Sequence, residues 1–398
     1  MIIRSKQIMT PLRTIDGYIE IDNGIIKRVS AGEPKTDNYE DYSDYIVMPG
    51  FIDLHVHGYG TGSLTHEKSM ESVIRMGQSM TRQGGTSFLP TTGTDSFEAT
   101  AEMMSAIDKA MDSWDSTKGA EILGAHLEGP FINKEYKGMQ KEEYCINPSI
   151  DIFKTMCESL PIERIKLMTM APELDNALEL ISYLNENDVQ ISIGHSAATF
   201  DTIKKLKNFG LGGVTHMFSG MKGFHHRELG VAGSALYFDD LYCEFAKQTG
   251  LTVLPEAVDL TVKIKGFDRI TLCSDAVGLG HVQEPFYHYI RETEFVPCGD
   301  YVLLKNDNGN EKKLNRFSIE DMTEIEMGYL ESVKNLVKIN EFTLQNIMKI
   351  ASENTAKYIN QYHRKGSLEE KKDADIIVLD ENLDLIQTYV LGTPQINV

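Results

Sequence analysis

The stretch Tyr45-Ile46-Val47-Met48-Pro49-Gly50-Phe51-Ile52-Asp53-Leu54-His55-Val56-His57 is apolar and β-rich until it turns polar at its far end. In a strand, residues two apart point to the same side, so His55 and His57 face one point in space. Four more apolar runs end in the same manner. They are Ile122 to Glu128, Val189 to His195, Gly213 to His216 and Arg269 to Asp275, each bounded by Gly, Pro, Ser or Ala. Short β-rich runs of this kind read as buried parallel strands.

Between them the period changes to that of helices. Thr199 to Phe209 carries Phe200, Ile203 and Leu206 at helical spacing and stops at Gly210; Ser69 to Gln83, Glu98 to Ser113 and Asp175 to Asn187 repeat the pattern. His195 and His216 lie 21 residues apart, about one βα unit. Strand-then-helix alternation predicts an α/β chain with a parallel sheet, closed as a (β/α)8 TIM-like barrel. The ends read differently. Asp16-Gly17 and Asp22-Asn23-Gly24 are hairpin signals between short alternating runs, and Ala374 to Leu379 resumes that style. Residues 1–48 and 361–398 are therefore expected to form one small β-sandwich, flanking a barrel over 49–360.

In such a barrel the carboxyl ends of the strands converge on one mouth. Convergence of His55, His57, Glu128, His195, His216 and Asp275 would make a metallohydrolase site, since neutral imidazoles and carboxylates are ligands for divalent ions. Net charge is −20, which argues against nucleic acid or an anionic membrane as partner. Five cysteines with no Cys-x-x-Cys read as reduced thiols of a cytoplasmic protein. No apolar run reaches transmembrane length. Asn306 to Asn315 is an expected exposed loop, Lys371-Lys372-Asp373 a turn charge run, and His66, His281, His288 and His363 surface or loop groups.

The run Pro49 to Gly58, with His195, His216 and Asp275, resembles the amidohydrolase superfamily. Gly85 to Thr92, His126 to Asn133, Lys137-Gly138-Met139-Gln140, Gly194-His195-Ser196, Thr215 to Phe218 and Ser274-Asp275-Ala276 resemble one branch of it, the N-acetylglucosamine-6-phosphate deacetylases. That resemblance implies hydrolysis of the acetamide of an N-acetylated amino sugar phosphate, giving glucosamine-6-phosphate and acetate. It implies one divalent ion on Glu128, His195 and His216, and a second on His55 and His57 with Glu128 bridging, zinc or iron being the expected metals. Asp275 takes the role of general base and then general acid. Met139, Gln140, Ser219, Gly220 and Arg227 take substrate-binding positions, Arg227 as an anion clamp aided by His225 or His226. A homodimer is implied as well.

The chain also departs from that branch. The histidine of its Gly-x-His-x-x-Pro stretch, which reaches the neighbouring subunit's site, is Thr252 here; Asn-Ala is Ser219-Gly220; Arg-Glu-Pro-Gly is Arg227-Glu228-Leu229-Gly230; and the Leu-x-Gly-Ser stretch is not recognisable around Phe317 to Glu326. The alternatives to the deacetylase are an amidohydrolase acting on another N-acyl amino sugar or a cyclic amide, and a catalytically silent binding relative.

Overall fold

Gly50 divides the long apolar stretch into two strands with different partners. Ile46–Pro49 joins a sheet made by the termini, and Phe51–Tyr59 enters the barrel. A computed structural model of the chain describes residues 1–246, 253–288 and 291–396. Its barrel strands are β1 (Phe51–Tyr59), β2 (Gly85–Thr92), β3 (Ala125–Glu128), β4 (Ile165–Met170), β5 (Gln190–Ile193), β6 (Leu211–Val214), β7 (Tyr242–Ala246) and β8 (Ile270–Cys273). Each pairs in parallel with its sequence neighbours. The ring closes because the chain continues past β8 into Ala276–Val277, which pairs in parallel with β1. Helices follow the strands, among them Met70–Thr81, Phe97–Asp112, Ala177–Glu186 and Gly230–Tyr237. Serines cap the first two: Ser69 accepts from the Ser72 amide and Ser96 from the Ala99 amide, satisfying N–H groups that the first helical turn leaves free. The helix expected over Thr199 to Phe209 is Phe200–Leu206 followed by a 3₁₀ turn.

The termini form one eight-stranded sheet, ordered Thr393–Pro394, Leu385–Val390, Ile376–Leu379, Ile46–Pro49, Ile2–Met9, Thr14–Asp22, Ile25–Ala31, with Glu40–Asp41 also on Ile2–Met9. Hydrogen bonding thus joins the layers expected of a sandwich into a single sheet. Side-chain alternation serves two cores. Val47, Ile376 and Val378 pack with Ile3, Ile8, Ile19 and Ile26, while Met48, Ile377 and Leu379 pack into the barrel's cluster.

Two sequence expectations are corrected here. Asp16-Gly17 is no turn: Thr14–Asp22 runs straight through it, and a Cβ at Gly17 would meet the Ser30 carbonyl oxygen at 2.0 Å, so the glycine serves close strand approach. The Asn23-Gly24 hairpin does form, both residues having positive φ (49° and 80°). Half of the loop expected over Asn306 to Asn315 is a strand, Glu311–Asn315, paired with Tyr301–Asn306 and burying only Leu314. The charge run Lys371-Lys372-Asp373 does turn, and its Asp373 is 7% exposed, in an ionic network.

That network ties the terminal sheet to the barrel. Lys365, its side chain 0% exposed, meets Glu121 at 2.6 Å, Asp375 at 2.6 Å and Asp373 at 3.0 Å, and Arg364 binds Glu121 and Asp373. Removing one partner of a buried ionic group strands the others, at a cost of about 3–5 kcal/mol. Lys365→Met is expected to lower unfolding stability by that amount in a denaturant titration. A loss below about 1 kcal/mol, the range of an exposed pair, would show the network to be solvated.

Candidate metal centre

β1 presents His55 and His57 on its inward side, and Glu128 is the last residue of β3. His195, His216 and Asp275 each stand two residues beyond the end of their strand, with φ of 48°, 32° and 45°. The left-handed region costs a non-glycine residue about 1–3 kcal/mol. Three such turns at one barrel mouth mark a constellation held against local preference. Gly220, at φ 56°, lies so close that a Cβ there would sit 3.2 Å from the His195 ring.

The result is a buried cluster around one carboxylate. Glu128 Oε1 lies 3.1 Å from His195 Nε2, 3.3 Å from His216 Nε2 and 3.4 Å from His55 Nε2, while Oε2 lies 3.2 Å from His57 Nε2. Glu128 is 2% exposed and the four histidines 0–7%. Asp275 Oδ1 stands at the edge, 3.5 Å from His55 Nε2 and 3.7 Å from His57 Nε2, its side chain 27% exposed.

The opposite ring nitrogens decide how this cluster reads. His57 Nδ1 faces the Thr91 carbonyl at 3.2 Å, His195 Nδ1 the Tyr136 carbonyl at 2.8 Å, His216 Nδ1 the Ser219 carbonyl at 2.9 Å and His55 Nδ1 the Glu244 carboxylate at 2.9 Å. Carbonyls and carboxylates only accept, so every Nδ1 carries the proton and donates it. In the neutral rings each Nε2 then offers a lone pair inward, although His55 and His57 Nε2 are 3.3 Å apart and those of His195 and His216 3.2 Å. Facing lone pairs are what a divalent ion between them explains, and outer partners fixing the tautomer are the usual companions of metal-bound histidine. Two ligand trios fit this set: His55, His57 and Glu128, and Glu128, His195 and His216. In the absence of an ion the same carboxylates would favour protons on the imidazoles in its place. Burial disfavours charge on His55, yet Glu128, Glu244 and Asp275 outweigh it and raise its pKa well above the ordinary value. Burial likewise opposes the charge on Glu128, and His55 and His195 overcome it to hold the carboxyl well below its usual range.

Gln140 belongs to this cluster. Its Nε2 donates to Glu128 Oε2 at 2.5 Å while its Oε1 accepts from the Thr94 amide at 2.7 Å, which fixes the orientation of the amide. A cavity of about 270 Å³ opens beside His57 and Gln140, walled by Met139, Lys141, Leu279 and Phe286. Ser219 contributes its carbonyl to His216. Arg227 sits apart in an exposed loop, its amide bound to His225 Nδ1 at 3.2 Å, with the His225 and His226 rings 4.1 Å apart. Thr252 lies outside the described residues. Around Phe317 to Glu326 the chain forms the helix Ile319–Ile325, whose Met322 packs beneath Leu279 and Phe295, and Glu326 caps the amides of Val277 and Gly278.

Two supporting residues escaped the sequence reading. Glu244, 3% exposed, was an unremarked acid inside an apolar strand; that isolation was the available signal. His126 packs its ring 4.7 Å from that of His55 and bonds the Leu54 carbonyl and the Thr169 hydroxyl, and burial holds its pKa well below the ordinary value. His281 is corrected as well: it is 2% exposed, between the Gly60 carbonyl and Glu67, rather than at the surface. The five cysteines are free thiols. No helix among the described residues is long and apolar enough to cross a membrane.

The amidohydrolase family matches residues 46–398. The chain is 30% identical to the N-acetylglucosamine-6-phosphate deacetylase of Bacillus subtilis (strain 168), over 98% of this chain and 96% of that one. It is 31% identical to the enzyme of the same name from Lysinibacillus sphaericus, over 88% and 85%. Among solved structures, the N-acetylglucosamine-6-phosphate deacetylase of Thermotoga maritima superposes with a TM-score of 0.80 at 27% identity, covering 100% of both chains. With its parallel barrel and histidine–carboxylate centre, the chain belongs to the amidohydrolase family and is a hydrolytic enzyme.

Proposed function

We propose that the chain hydrolyses the acetamide of an N-acetylated amino sugar phosphate, converting N-acetylglucosamine-6-phosphate and water into glucosamine-6-phosphate and acetate. The observation that carries this reading is the convergence of four inward-facing imidazoles on Glu128 with Asp275 at its edge. Relatives named for this reaction, matched over nearly the whole chain, give the substrate class. Glu128, His195 and His216 would hold one ion, and His55, His57 and Glu128 a second, zinc or iron. A divalent ion supplies Lewis acidity, lowering the pKa of water and polarising an amide carbonyl. Asp275 accepts a proton as water adds to the acetamide carbon, then returns one to the sugar nitrogen as the C–N bond breaks. Its partial exposure at the mouth suits a group that must meet both water and substrate. The wall of Met139, Leu279 and Phe286 lets the cavity exclude water from the acyl group.

Arg227 is assigned to the sugar phosphate, a planar fork suited to phosphate oxygens. A charge-assisted hydrogen bond contributes about 1.5–3 kcal/mol. Arg227→Ala is expected to raise KM for the phosphorylated sugar about tenfold or more and to leave the unphosphorylated one little changed. Equal losses on both would make Arg227 a structural residue. The enzyme is read as a cytoplasmic homodimer, on its reduced thiols and on the family resemblance.

The altered Ser219-Gly220 and Leu229 positions favour a second reading, shifted specificity toward another N-acyl amino sugar. Acetate release from N-acetylglucosamine and N-acetylgalactosamine, each with and without a 6-phosphate, separates the two. N-acetylglucosamine-6-phosphate is expected to give the highest kcat/KM. A galacto or unphosphorylated substrate in that place would establish the second reading.

A further inference from the structure

Glu244 is the acid that the proposed reaction leaves without a task. It lies in β7, flanked by Cys243 and Phe245 and 3% exposed in the barrel interior, where an ionised carboxylate persists only with full hydrogen-bond compensation. Its Oε1 accepts the Nδ1–H of His55 at 2.9 Å and the backbone N–H of His216 at 3.1 Å. The Cys273 thiol also hydrogen-bonds it, and burial keeps that thiol protonated by raising its pKa well above the usual value. One oxygen therefore touches a residue from each ligand trio, the imidazole in one and the main chain in the other.

We propose that Glu244 is a positioning residue that sets the two halves of the metal centre relative to each other and selectively strengthens the half containing His55. The inference rests on the metal-dependent reading above. A carboxylate behind an imidazole fixes the Nδ1–H tautomer and makes the opposite nitrogen a better donor, and loss of such a partner typically lowers metal affinity about 10–100-fold. Among the described residues, His57, His195 and His216 have neutral carbonyls at Nδ1, and His55 is the one histidine of the four with a carboxylate there. His216 is gripped through its amide, so loss of the charge leaves its ring bond to the Ser219 carbonyl in place.

The test is a calorimetric zinc titration of ion-stripped full-length protein, comparing wild type with Glu244→Gln, which keeps the side-chain shape. Two ions are expected on wild type, and in the variant one of the two affinities falls about 10–100-fold while the other holds. Glu244→Asp, which keeps the charge but withdraws the oxygen by one methylene, is expected to weaken the same ion. Unchanged affinities in either variant overturn the proposal, as does a third zinc on wild type, which would make His55, Glu244 and Cys273 a ligand set of their own. A reading on unmodified protein avoids any folding defect: zinc-loaded wild type should keep a protonated His55 Nδ1 in its imidazole NMR spectrum, assigned by its absence in His55→Asn. A deprotonated Nδ1 overturns the proposal. Wild type that binds no zinc at all fails the metal-dependent reading itself, a different outcome from two unaltered affinities.

Discussion

Replacing Asp275 with asparagine is expected to lower kcat for acetate release by about 10²–10⁴-fold, the range of a lost general acid–base group. The substitution is nearly isosteric. The backbone that places the residue is untouched, since the Asp275 amide donates to the His55 carbonyl at 2.8 Å and the neighbouring Ser274 amide to Asp53 at 3.1 Å. What is lost is the capacity to take a proton 3.5 Å from the His55 imidazole. Glu128, His195 and His216 do not depend on Asp275 for their contacts, so ion content by elemental analysis should persist and KM should change little. Near-normal turnover would place the proton carrier elsewhere, and loss of the ions would make Asp275 a ligand rather than a shuttle.

Glu128→Gln is expected to remove the centre altogether. Among the described residues this carboxylate is the only group that meets all four histidines, through both of its oxygens. Glutamine lacks the charge and turns an N–H₂ toward lone pairs that need a cation. Ion content should fall far below one per chain and acetate release to background, with the circular dichroism of the barrel retained because the core lies in apolar clusters elsewhere. A variant that keeps its ions and activity would contradict the assignment of Glu128 as the shared ligand. Gln140 gives an internal contrast: it touches Glu128 through one hydrogen bond, so its truncation should weaken ion binding without abolishing it.

Much of this centre was legible because it lies where a pattern breaks. His55 and His57 follow from the period of two in a strand, and His195, His216 and Asp275 from apolar runs that stop abruptly. What could not be read is pairing across space. Glu244 sits mid-strand, and nothing in Tyr242 to Ala246 says that it turns toward a residue 189 positions away. Gln140 reaches Glu128 from a loop, so the motif that marked it for substrate gave no sign of that second contact. The same limit explains the fold-level corrections. Gly17 has the composition of a turn and the function of a close approach, and the charge run at Asp373 gives no sign of the buried Lys365 brought against it. The strand Glu311–Asn315 is almost wholly exposed, so no apolar alternation announced it.

The central claim is that hydrolysis depends on ions held by these histidines and Glu128. It is tested most directly by stripping the purified protein with a chelator and measuring acetate release from N-acetylglucosamine-6-phosphate before and after stoichiometric zinc or iron is returned. The account predicts activity lost with the ions and restored by one or two equivalents per chain. Full activity in protein shown by elemental analysis to be free of metal would contradict it.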